Sequence, residues 1–398
     1  MTCVFFTLLF VTNALISAPE PQAPAGDFNA RIEYTLKNPR KNDPVLGGPK
    51  DKVFVSAWIP EGLKVVRGGI CNPFSKGDDV SKHWQAACRY WKFAYVQVDF
   101  DGVKDEEYAL LTTGLAELAK KAGRPELEHL PLCFIGMSRG GGISMKLAEM
   151  MPERTIAVAP VCLEVGPGSE ATRRIPVITI FGEKDGSQMA KLQTKLSLER
   201  QLQARFGIAV QWNRKHEFAL ANNLSFVHFD EAISRRLPKI PISNKPTPLA
   251  DIPLEEGWLG DISTWGKDGK MPMIAAWREF KGDRNLACWF SSQRVASVWQ
   301  GFVGASRDVT IIEPPGLGDK QPFILYSAGK KMTVKISINN EIKPTRIILR
   351  DEAKLIAEKT EGPWVFEISL KPGIHSLIAT VDAGGQKASR PHTIVVGD

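Results

Sequence analysis

The chain has 398 residues, more than one ordinary core holds, and its 43% hydrophobic and 24% charged content is that of a soluble globular protein of two domains. The net charge is +7, but lysine and arginine are scattered among acids. No basic stripe with interleaved aromatics is present, which excludes a nucleic-acid-binding role as the leading reading.

In chain order, the amino end "MTCVFFTLLFVTNALISAPEPQAPAG" runs apolar from Cys3 to Ile16 and then turns Pro/Ala-rich. That length suits the apolar region of a signal peptide over residues 1–18 and is short for a membrane span. No Lys or Arg precedes the apolar run, and the first basic residue is Arg31. The expectation is export, to a secreted or periplasmic location, with no stable membrane insertion after cleavage. A misplaced start codon or a buried N-terminal strand is the alternative.

Strand-like and helical runs then alternate. The strands are "KVFVSAWIP" (52–60), "VVRGGI" (65–70), "FAYVQVDF" (93–100), "LPLCFIG" (130–136), "TIAVAPV" (155–161), "IPVITIFG" (175–182) and "AVQWNRK" (209–215). Helices are expected near 79–92, through 106–123, after Ser138, from Met189 to Phe206 and near 222–236. Continuous apolar strands alternating with helices predict a mostly parallel, doubly wound α/β sheet covered on both faces. In such sheets chemistry sits at the carboxyl ends of the strands.

After Pro238 the periodicity stops, and five prolines fall within residues 238–253. Residues 254–305 carry Trp258, Trp265, Trp277, Trp289 and Trp299 and read as an extension packed on the α/β core, giving a domain over 27–305. From about Val309 to Asp398, short alternating strands separated by turn signals predict a small all-β sandwich. The stretch "EPPGLGDKQP" has the Pro/Gly content of a boundary, so a chain ending near Asp308 is expected to fold alone. The six cysteines, at 3, 71, 88, 133, 162 and 288, show no C-x-x-C or other metal-ligand spacing. Cys133 and Cys162 read as buried thiols, and Cys71 and Cys88 are left open as a possible bridge. No metal or organic cofactor is implied.

The segment "LPLCFIGMSRGGG" places Ser138 between a strand and a helix, with Gly136 and Gly140 flanking it. A serine on such a turn fits a nucleophile elbow, although the five-residue pattern alone is weak. Of six histidines, His375 and His392 fall in the sandwich, His83 and His129 precede the serine, and His228 lies inside a helix. His216, directly after a strand, is the remaining base candidate. Asp185, in the turn ending "IPVITIFGEKDGS", is placed to hold an imidazole, though Asp-Gly also makes ordinary turns. Glu164, one strand earlier, is the alternative acid.

The order Ser138, Asp185, His216 is that of α/β-hydrolases. Through "FIGMSRGG", "FGEKDG" and "KHEFA", residues 50–236 resemble that fold, closest to secreted dienelactone-hydrolase-like and acetyl-xylan or feruloyl esterases. Dienelactone hydrolases use a cysteine nucleophile, so the serine here points to esters. The segment "GPWVFEISLKPGIHSLIATVDAGGQKAS" is similar to bacterial immunoglobulin-like modules of polysaccharide-active enzymes, without the antibody cysteine pair. An oxyanion hole is expected from the backbone N–H of Arg139 and of Asn72 or Phe74, since Pro73 has none. The resemblance implies a secreted serine hydrolase of small or polysaccharide-linked carboxylic esters. A peptidase or amidase on the same triad, or an inactive surface-binding protein, are the other readings.

Overall fold

The computed structural model describes residues 26–40, 50–77, 79–100, 105–163, 165–186, 188–242, 245–263, 271–318 and 323–398. The expected signal segment 1–18, Cys3, the alternative acid Glu164 and Trp265 lie outside the described residues.

The central sheet contains β1 (Phe28–Arg40), β2 (Lys50–Ile59), β3 (Gly68–Asn72), β4 (Phe93–Val98), β5 (Leu132–Met137), β6 (Thr155–Val161), β7 (Val177–Gly182) and β8 (Phe206–Gln211). Its spatial order is β1-β2-β4-β3-β5-β6-β7-β8. The first two strands form an antiparallel hairpin, β2 meets β4 antiparallel, and every pair from β4 to β8 is parallel. Helices α1 (Lys82–Trp91), α2 (Asp105–Ala122), α3 (Arg139–Met150), α4 (Glu170–Arg173), α5 (Gln188–Gln201) and α6 (Asn222–Arg236) occupy the connections. Strands β6, β7 and β8 are buried at every position, as a parallel sheet covered on both faces requires.

Two elements differ from the sequence reading. Strand β1 was not expected, yet its inward positions alternate, with Ala30 and Leu36 buried between exposed residues, as on a half-covered edge strand. Helix α5 ends at Gln201, not Phe206, because Gln203 takes a left-handed turn at φ 62° and Phe206 opens β8. Gly207 on β8 is a packing position. A Cβ there would stand 3.1 Å from the Phe290 ring and 3.3 Å from the Trp289 carbonyl oxygen.

Those neighbours belong to the tryptophan-rich extension, built from β9 (Trp258–Asp261), β10 (Ile274–Ala276), β11 (Ala287–Phe290) and α7 (Gln293–Val303). Trp289 and Trp299 are fully buried, and their indole N–H groups donate to the carbonyl oxygens of Leu254 (3.0 Å) and Ile208 (2.7 Å). The extension thereby covers β8 and pairs the polar atom of each ring.

The all-β part holds β12 (Val309–Glu313), β13 (Tyr326–Ser327), β14 (Met332–Ile338), β15 (Arg346–Asp351), β16 (Lys354–Lys359), β17 (Val365–Ile368), β18 (Gly373–Asp382), β19 (Gln386–Ala388) and β20 (His392–Gly397). One sheet orders β12-β14-β17, the other β13-β20-β18-β15-β16, with β19 on β18. Val309, Val334, Ile347, Phe366, Leu377 and Ile394 form the core between them.

The outer face of the larger sheet is not free. Ile374 and Val395 belong to the core of the α/β part. Asn223 on α6 accepts the Thr393 N–H at 2.9 Å, its own carbonyl accepts the Thr393 hydroxyl at 2.6 Å, and its Nδ2 donates to Leu317. Arg294 on α7 binds Asp230 of α6 and Glu352 of the sandwich at 2.5 Å each, and donates to the Ile374 carbonyl at 2.8 Å. The described part of the Pro/Gly stretch therefore follows the first sandwich strand and lies against α6, so it is no inter-domain linker. Cys71 and Cys88 are buried free thiols, which closes the question of a bridge between them.

Candidate active site

Strand β5 delivers Ser138 to the head of α3 at φ 55°, ψ −117°, a conformation that costs a non-glycine residue about 1–3 kcal/mol. The flanking glycines make the turn possible. A Cβ on Gly136 would lie 2.5 Å from the Gly140 backbone carbon and oxygen, and one on Gly140 would lie 3.0 Å from Phe74 Cβ. Strand and helix thus close around the serine only because both positions lack a side chain.

His216 stands in the loop after β8, and Asp185 in the turn after β7. The His216 Nδ1–H donates to both carboxylate oxygens of Asp185, at 2.9 and 3.0 Å. The two loops are pinned to each other by backbone bonds. Lys184 N–H donates to the Arg214 carbonyl at 2.8 Å, and Asn213 N–H to the Glu183 carboxylate at 2.7 Å. Asp185 is mostly covered, with 18% of its side chain exposed, whereas His216 has 47% exposed and faces the cleft.

Ser138 and His216 line one cavity of about 800 Å³, with Phe74, His83, Trp84 and Tyr95 on its walls. A second groove, lined by Trp212, Arg307 and Lys387 between the extension and the sandwich, contains neither residue. Arg139 opens α3, so its backbone N–H points out of the helix amino end.

Of the two candidates for the other oxyanion donor, the backbone pattern favours Phe74. Ser75 N–H donates to Val98 O (3.0 Å) and Phe100 N–H to Pro73 O (3.3 Å) around the Phe74–Asp99 bridge. In that pattern the bridged residue's own N–H points away from the partner strand. The Phe74 side chain itself packs over Gly140, two residues after Ser138. Asn72 is instead a β3 residue in register with Gln97 of β4, and its side chain bonds Tyr95.

Two groups here were passed over in the sequence reading. His83 on α1 was set aside because it precedes Ser138, but it reaches the cavity wall, with Nε2 3.2 Å from Ser81 Oγ and 3.1 Å from Asn222 Nδ2. Burial pulls its pKa down to about 4, so it is neutral near pH 7. Cys162, at the end of β6, has its Sγ 3.5 Å from the Glu217 carbonyl oxygen. Burial, then the charge of Asp185 beside it, push this thiol up to about 12. The clue in sequence was its place at a strand's carboxyl end, the same criterion that nominated Glu164. His228 is fully buried in α6, near the Val158 and Pro176 backbone and away from this cavity.

No family model matches the sequence, and no curated protein is similar to it. Solved structures similar to it include an S-formylglutathione hydrolase from Agrobacterium tumefaciens, at 14% identity over 54% of this chain and 98% of that one, TM-score 0.35. A ferulic acid esterase aligns at 13% identity over 48% and 92%, TM-score 0.31. Fibronectin(III)-like modules of Clostridium thermocellum CbhA align at 18% identity over 22% and 94%, TM-score 0.20. The fold assignment stands on the strand order and the elbow: this chain has the α/β-hydrolase fold, followed by an all-β sandwich.

Proposed function

We propose that this protein is a serine hydrolase of carboxylic esters that works through an acyl-enzyme. The observation that carries the reading is the bond between His216 Nδ1 and Asp185 beside a strained serine in one cavity. With Nδ1–H held by the carboxylate, Nε2 is left as the acceptor. It takes the Ser138 proton as Oγ attacks the ester carbonyl, and Asp185 stabilises the imidazolium while staying ionised. The negative charge then developing on the carbonyl oxygen would rest on the backbone N–H groups of Arg139 and Phe74. The imidazolium returns its proton to the leaving alkoxide. Water, deprotonated by the same nitrogen, then releases the acid.

The substrate we infer is a small or polysaccharide-linked ester acted on outside the cytoplasm, and not a nucleic acid. Support for the linked ester is only the pairing of this fold with a sandwich, and for export only the apolar amino-terminal segment. The decisive experiment is labelling by a fluorophosphonate probe, located by peptide mapping, followed by a panel of aryl and sugar esters against aminoacyl-anilides. A label on Ser138 with ester turnover supports the reading. Labelling elsewhere, or faster anilide than ester cleavage, would replace it.

A further inference from the structure

The proposed reaction leaves the Cys162 thiol, which lies beside the acid and the base, unused. Its Sγ, a carboxylate oxygen of Asp185 and a ring nitrogen of His216 all lie within 4.8 Å of one another. We propose that these three atoms form a site for a thiophilic divalent cation, zinc above all, and that filling it switches the hydrolase off; the second half rests on the serine-hydrolase reading.

Each donor comes from a different strand end, those of β6, β7 and β8, which adjacent parallel strands bring side by side. The Asp185 and His216 loops are in turn held to each other by the Lys184 N–H to Arg214 carbonyl bond and the Asn213 N–H to Glu183 carboxylate bond. Tetrahedral zinc holds S, N and O donors at about 2.0–2.3 Å, so its ligand atoms stand roughly 3.3–3.6 Å apart. Here the nitrogen and oxygen are 2.9 Å apart and the sulfur within 4.8 Å of both, so binding would spread the first pair by about half an ångström and draw the sulfur in. The mixture of thiolate, imidazole and a single carboxylate selects zinc over magnesium or calcium, which take oxygen ligands. His216 is half exposed, so a fourth position on the ion can be filled by water.

Inhibition follows from the ring's two nitrogens. The ring nitrogen that faces the Asp185 carboxylate is Nδ1, so a cation sharing that carboxylate meets the ring there. A cation bound there must displace the Nδ1 proton, which moves to Nε2, while the thiol proton leaves to solvent. Nε2 then carries hydrogen and has no lone pair for the Ser138 hydroxyl. The carboxylate that orients the ring is also diverted to the metal.

The test uses the purified full chain. Cobalt(II) is titrated in, and the near-ultraviolet thiolate-to-cobalt absorption is followed in the parent, Cys162→Ser and Cys162→Ala. In parallel, p-nitrophenyl acetate turnover is measured with and without zinc, each variant serving as its own reference. One cobalt per chain with a thiolate band in the parent only is expected. Zinc should inhibit the parent reversibly, with chelator restoring turnover. Losing a partner of a metal ligand costs about 10–100-fold in affinity, so losing the ligand itself should weaken zinc inhibition by at least tenfold. No thiolate band in the parent, equal zinc inhibition in all three proteins, or stimulation by zinc would each overturn the proposal. A cobalt band without ester turnover under any condition supports the site and sinks the hydrolase reading. Turnover without the band does the reverse.

Discussion

Gly182 and Lys215 touch where a side chain would not fit: a Cβ on Gly182 would lie 2.2 Å from the Lys215 carbonyl oxygen and 2.6 Å from that of Arg214. The last residue of the acid-bearing strand is therefore in backbone contact with the residue preceding His216. Gly182→Ala must push the base loop away by a large fraction of an ångström or more. A misplacement of 1 Å can cost about 100-fold in rate, so turnover should fall by roughly that factor while the protein stays folded. Steady-state kinetics with circular dichroism check this, and unchanged kcat would show that the two loops do not position each other.

Ser138→Ala should abolish turnover and fluorophosphonate labelling. His216→Ala should lose about as much, because nucleophile and base act as a unit. Should His216→Ala keep more than about a tenth of the rate, the base is misassigned. Among the described residues only His83 is another histidine on the same cavity wall, so it, and not the buried His228, would inherit the role.

The strain at Ser138 predicts a stability gain from losing function. At φ 55°, ψ −117° a glycine is far less strained than a serine. Ser138→Gly relieves about 1–3 kcal/mol and loses about 0.4–1 kcal/mol to greater unfolded-chain freedom. A net stabilisation of about 1 kcal/mol should appear in urea unfolding, with Ser138→Ala close to the parent. A destabilised Ser138→Gly would mean the elbow is not strained in solution.

Asp185→Asn should leave His216 in the wrong tautomer and lower kcat by about four orders of magnitude, going by the corresponding serine-protease change. Near-normal turnover in that variant, with collapse in Glu164→Gln, would move the acid one strand earlier.

The sandwich is predicted to be inseparable. A chain ending near Asp308 would uncover Asn223 and the apolar face that Ile374 and Val395 cover. Arg294→Met would leave the Asp230 carboxylate without its cation in a mostly buried setting, which costs about 3–5 kcal/mol. Truncation should therefore yield aggregated protein, and Arg294→Met a markedly lower unfolding midpoint. A truncated chain with the parent's midpoint would restore the two independent domains expected from the sequence.

The same cluster has a pH signature. Burial raises Glu352 to about 7 despite the opposing pull of Arg294, and Asp351 and Asp230 push it further up. Its Oε1 has no hydrogen-bond partner, so burial of that oxygen is uncompensated when the group is ionised. Below the unfolded value both states are protonated and there is no penalty. Between roughly 4.5 and 7 the unfolded state ionises first, so stability falls as pH rises through that window. Glu352→Gln should flatten this fall in urea melts between pH 4.5 and 7.5, and an unchanged slope would assign it to other groups.

The sequence alone determined what local chemistry dictates. Apolar runs of strand length, the Gly136-Met137-Ser138-Arg139-Gly140 turn and the Asp185-Gly186 turn are readable because each depends on a few neighbouring residues. Parallel connectivity then places every such turn at one edge of the sheet, which is why Ser138, Asp185 and His216 could be nominated in order. Only the tertiary structure decided what depends on distant backbone approaching. Gly207 packs against Phe290 from the extension, and the bridge to Asp99 leaves the Phe74 N–H outside its own hydrogen bonds. Cys162 joined the acid and base because β6 and β7 are neighbours, and Thr393 of the sandwich bonds Asn223 of α6 across 170 residues. Such contacts leave no periodicity in the chain, since the residues that meet are separated by whole strands and helices.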